Sequence, residues 1–98
     1  MNSAIDFPWS FKNVTGDVIV KTGAGVLHTV VINGITTVGD VAIYDGTDAT
    51  GTLIGTLSLR TAVSVSCQPI CLTYDCKIAT GIFVDVTSFV GSLTFTYI

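Results

Sequence analysis

From residue 17 onward the chain is a succession of short segments in which apolar and polar residues alternate, separated by turn-forming pairs. Alternation with period two marks half-buried strands, because successive side chains of a strand point to opposite faces. The segments fall at residues 17–22, 26–33, 38–44, 52–59, 62–67, 70–74, 82–86 and 92–98. No stretch repeats apolar residues at helical spacing for long enough to predict a helix. Eight short strands predict an all-β fold, an antiparallel β-sandwich of about eight strands. The last segment is the cleanest, with Leu93, Phe95 and Tyr97 on one face and Ser92, Thr94 and Thr96 on the other, so one face is dry and one wet. In 26–33, Val26, His28, Val30 and Ile32 are expected on one face and Leu27, Thr29 and Val31 on the other. Both faces are largely apolar, which predicts a central strand.

The punctuation is equally regular. A glycine-bearing turn covers residues 22–25, Asn33-Gly34 is a hairpin-type turn pair, and residues 45–51 form a polar loop flanked by glycines. Gly55 interrupts its strand as a bulge would. A weak internal echo links the two ends: in 22–44 and again in 80–97, a glycine opens one strand, and a Val-Gly pair opens a second that ends near a tyrosine. A shared plan of this kind predicts that the first and last parts of the chain pair across the sandwich. Residues 1–13 lack the alternation and hold Phe7, Pro8, Trp9 and Phe11, which reads as an extended N-terminal arm preceding a domain at 14–98. Thirteen extended residues reach roughly 40 Å at about 3.3 Å each. The arm's aromatics require cover, either as a lid over one open end of the sandwich or as anchors on a neighbouring subunit or larger assembly.

Composition sharpens this. Charged residues make up 11% of the 98 residues and hydrophobic ones 49%, so apolar surface is in excess for so small a particle, and an oligomer is expected. The net charge of −3 comes from aspartates alone, against the scattered Lys12, Lys21, Arg60 and Lys77. Without a basic cluster, nucleic acid is not an expected ligand. No apolar run reaches the roughly 18–20 residues of a membrane span, and residues 1–12 lack the pattern of an export signal. The three cysteines, Cys67, Cys71 and Cys76, cannot all pair with one another and are expected as buried, reduced thiols.

Groups for chemistry are few. His28 is the sole histidine, too little for a triad or an imidazole-based metal site, and reads as a packing or interface residue. The Cys67, Cys71 and Cys76 spacing departs from a zinc knuckle. Asp40, Asp45, Asp48, Asp75 and Asp85 lack the glutamate of a calcium loop, and Asp45 and Asp48, with Thr47 and Thr50, are expected to cap turns, a weak cation site in that loop being the alternative. No glycine-rich phosphate cradle, cofactor site or metal site is expected, and the chain is not expected to be an enzyme.

One resemblance adds to this reading. The stretch Gly25-Val-Leu-His-Thr-Val-Val-Ile-Asn33, the segment Val41-Ala-Ile-Tyr-Asp-Gly-Thr-Asp-Ala-Thr-Gly-Thr-Leu-Ile-Gly-Thr-Leu57, the strand Thr80-Gly-Ile-Phe-Val-Asp-Val86 and the closing Gly91-Ser-Leu-Thr-Phe-Thr-Tyr97 resemble small virion proteins of tailed bacteriophages that decorate or cement capsids. The resemblance spans residues 23–98 and rests on turn and strand residues; residues 67–76 and the aromatic arm depart from the pattern. It implies a jelly-roll-like sandwich, usually a homotrimer, bound to the major capsid protein lattice of a virion and made in the host cytoplasm. Phe7, Trp9 and Phe11 are then the expected arm anchors, with Tyr44, Asp45 and Asp48 on a second contact surface. Two other readings stand beside it. One is a receptor- or carbohydrate-binding module of a tail or fibre, with Tyr74 and Asp75 as its aromatic shelf. The other is a head-to-tail joining protein.

Overall fold

The computed structural model describes residues 9–59 and 70–98, and within them the chain is strand and turn, with no helix. The strands are β1 (Ser10–Val14), β2 (Val18–Thr22), β3 (Gly25–Thr37), β4 (Gly39–Asp45), β5 (Thr52–Leu59), β6 (Ile70–Ile78), β7 (Gly81–Thr87) and β8 (Val90–Tyr97). They form two four-stranded antiparallel sheets, sheet A in the order β1-β8-β3-β6 and sheet B in the order β2-β7-β4-β5. The two sheets pack face to face as a β-sandwich, because each strand turns its apolar set inward. Leu27, Val30, Leu93 and Phe95 from sheet A meet Val41, Ile43, Ile82 and Val84 from sheet B, all fully buried. Each such side chain contributes about 1.5–3 kcal/mol relative to an exposed one.

The chain changes sheet at most of its turns; the β4–β5 hairpin around residues 46–51 stays within sheet B. The two halves of the internal echo become the central strands, β3 beside β8 and β4 beside β7. Where β3 passes into β4, Gly39 lies against the backbone of the β7–β8 turn, and a Cβ there would come within 2.3 Å of the Phe89 nitrogen. Only glycine fits that corner. Gly23, at φ 98°, likewise takes the left-handed backbone that its turn requires.

Four features differ from the sequence reading. Residues 10–13, expected within the arm, join Val14 in the edge strand β1 (Ser10–Val14), pairing with β8 from Ser10↔Tyr97 to Val14↔Leu93. An edge strand needs only one apolar anchor, and Val14 supplies it. Asn33-Gly34 is not a hairpin turn. It lies inside the 13-residue β3, where Asn33 is an extra residue opposite β8, and its side chain donates to Thr94 Oγ1 at 2.9 Å. The expected faces of β3 also shift. His28 is extra in the β3–β8 ladder, so Leu27 faces inward with Val30 and Ile32. Finally, β6 does not end at Tyr74, because Asp75 adopts φ 45° and carries the chain through a bulge to Ile78. The strand expected at 62–67 lies outside the described residues.

Candidate interaction surfaces

At one end of the sandwich three turns are knitted together by one carboxylate and two backbone hydrogen bonds. Asp45 ends β4, and its Oδ1 and Oδ2 accept hydrogen bonds from the amides of Ala79 (3.0 Å), Thr80 (2.8 Å) and Gly81 (3.3 Å). Those amides, Ala79 and Thr80 foremost, hold the Asp45 carboxyl below the usual carboxylate range. The Gly46 amide donates to Gly81 O and the Gly23 amide to Thr80 O, which brings in the β2–β3 turn. Asp48 caps its own loop, accepting from the Thr50 hydroxyl and amide at 2.5 and 2.9 Å, and these bonds lower its pKa as well. Asp48 thus caps its own turn, as the turn-cap reading expects, whereas Asp45 binds the backbone of a turn remote in the sequence.

The outer face of sheet B carries an apolar band across all four strands. Its row is given by the register Ile19↔Phe83, Phe83↔Tyr44 and Tyr44↔Leu53. Side chains in one such row sit beside one another on the same face. The Tyr44 and Phe83 rings are 6.4 Å apart, and Ile19 and Leu53 at the two edges are exposed. The sequence singled out Tyr44 alone. The other three become neighbours only through strand order.

Sheet A presents a different face, in which one row runs Phe11, Thr96, Thr29 and Thr73 and the next Asn13, Thr94, Val31 and Cys71. Its polar groups bond mostly to one another: Thr29 to Thr96, Asn33 to Thr94, Asn13 to Ser92. Phe11 stands at the β1 edge of this face, 75% exposed. Beside it Trp9 stacks on His28, with centroids 4.0 Å apart and planes 11° from parallel. His28 Nδ1 is in turn 2.5 Å from Asp75 Oδ1.

Of the expected site residues, Trp9 and Phe11 share the sheet A edge, Tyr44 lies on sheet B, and Asp45 and Asp48 are at the turn cluster. Phe7 lies outside the described residues. Tyr74 cannot form a shelf with Asp75, because its ring turns inward and its hydroxyl lies over Gly55, where a Cβ would come within 3.2 Å of it. Burial raises the Tyr74 pKa. Among the described residues the cysteines are unpaired, but Cys71 is exposed rather than buried, because it falls on the outward side of β6. Cys76 is half-buried, and burial first, then the charges of Asp45 and Asp75, raise its thiol pKa. No cluster of three or more metal-ligating side chains occurs among the described residues.

These surfaces belong to an all-β sandwich of two antiparallel four-stranded sheets. The chain matches no protein-family model, no curated protein and no solved structure.

Proposed function

We propose that the chain is a non-enzymatic structural protein of a virion that decorates or cements a capsid as a homotrimer, attached to the major capsid protein lattice. The observation that carries this reading is the pair of apolar surfaces on opposite faces of one thin body, the Trp9 and Phe11 edge of sheet A and the Ile19, Phe83, Tyr44 and Leu53 band of sheet B. A cement must adhere twice, to its own copies and to the lattice, and a sandwich 16 Å across its shortest extent presents both faces to close neighbours. In this reading the aromatic edge meets the lattice and the sheet B band meets the next subunit. Strand order supports it. The orders β1-β8-β3-β6 and β2-β7-β4-β5 support reading the sandwich as a jelly roll, an architecture used by viral capsid and lectin domains.

The test is attachment of the purified protein to heads of the virus that encodes it. Phe11→Ser removes an exposed ring without touching the core, so the variant keeps its folding stability and loses attachment. Undiminished attachment of Phe11→Ser and of Trp9→Ser would refute the assignment of this edge. One observation favours a second reading, a carbohydrate-binding module: Trp9 supplies an aromatic platform beside His28 and Asp75. Specific hits on a glycan array, lost in Trp9→Ala, would favour it over the cement.

A further inference from the structure

Trp9, His28 and Asp75 converge from three segments that are distant in the chain, and the sheet is deformed to let them meet. His28 is the extra residue where β3 bulges against β8, and Tyr74 and Asp75 together stand opposite it where β6 bulges. Asp75 sits at φ 45°, a left-handed backbone that a non-glycine residue keeps only where its surroundings hold it. We propose that this cluster is a proton-controlled latch, closing Trp9 and the start of β1 onto sheet A when His28 carries two ring protons and loosening them when it carries one.

The neutral imidazole donates to Asp75 from Nδ1 and offers Trp9 only a stacking partner. Protonated, the same ring is a cation held between a carboxylate and an indole face, and both contacts strengthen together. Histidine changes charge between about pH 5 and 8, where carboxylates are ionised. The charged groups around the ring are few. On β6, Asp75 touches it and Lys77 lies two residues further along the same face. β8 has no charged side chain, β3 has none besides His28, and Lys12 of β1 lies opposite the inward-facing Phe95. From β2, the Lys21 side chain reaches Gly25, three residues before His28. The ion pair and the cation–π contact together shift the closed-to-open ratio by about tenfold.

The latch rests on the proposed function in one respect: Trp9 freed from His28 becomes available, with Phe11, to the lattice. Its titration does not depend on that reading. The chain has one tryptophan and one histidine, so tryptophan emission reports the surroundings of Trp9, and His28→Gln isolates the part that comes from this contact. A protonated imidazole stacked on indole quenches it. Between about pH 8 and 5, Trp9 emission should fall in a single one-proton step, and Trp9 should become less accessible to acrylamide. In His28→Gln the step should vanish, and in Asp75→Asn acrylamide access at low pH should return toward its high-pH value. Flat wild-type emission over that range, or the same step in His28→Gln, would overturn the latch. A flat titration with normal head attachment would remove the latch alone, whereas a normal titration with no attachment would remove only the proposed function.

Discussion

Asp45 holds three consecutive amides with one carboxylate, so its ionisation is tied to the folded state. Its folded-state pKa is lowered, so the stability it contributes is fully present above the ordinary carboxylate range and is lost as pH falls from there through its own lowered pKa. Asp45→Asn should therefore be less stable than wild type at neutral pH, and the gap should close below about pH 4. Urea unfolding of both proteins at neutral and acid pH checks this; a gap that persists unchanged in acid would assign the cap no electrostatic part. The capping role of Asp48 was legible in the sequence, because aspartate beside threonine in a short loop bonds its own neighbourhood, whereas the amides that Asp45 holds lie in a turn some 35 residues further on and come to it only through the pairing of β4 with β7. The Trp9, His28 and Asp75 contact was not legible either. It depends on β1, β8, β3 and β6 being neighbours and on two bulges that no local pattern announces.

Strands were legible wherever alternation ran unbroken. The faces of β8 and β4 agree with the pattern because their own alternation is uninterrupted: Leu93 and Phe95, Val41 and Ile43 are fully buried. β3 defeated the same reasoning, since each extra residue shifts the phase of the alternation, and its 13 residues take extra ones at His28, Asn33 and Thr36. Asn33-Gly34 misled for a related reason: a pair that suits a hairpin turn also suits a bulge, and only the long ladder to β8 decides between them. Two glycines separate the cases experimentally. Gly34 has open space where a Cβ would stand and no left-handed backbone, so Gly34→Ala should be neutral or stabilise by up to about 1 kcal/mol. Gly39→Ala drives a methyl into the backbone of the β7–β8 turn and should destabilise by more than about 1 kcal/mol. Comparing denaturation midpoints decides it, and equal effects would contradict the corner packing.

At the scale of the molecule, part of the excess of apolar residues lies on two separate surfaces. The sandwich covers its core and still leaves Trp9, Phe11, Ile19 and Leu53 open to solvent. If the sheet B band joins subunits, Leu53→Asp, which places a charge at its exposed edge, should convert trimer to monomer without unfolding the sandwich. Sedimentation of the wild type and variant checks this; a wild-type monomer, or a variant trimer, would remove the band from the assembly. The central claim is that the aromatic edge of sheet A fixes this protein to a viral shell. Imaging tailed-phage heads after incubation with the purified protein tests this proposal most directly. The account predicts two-sheet domains in threes at symmetry-related positions, with Trp9 and Phe11 against the lattice. Bare heads, or domains docked with that edge facing solvent, would contradict it.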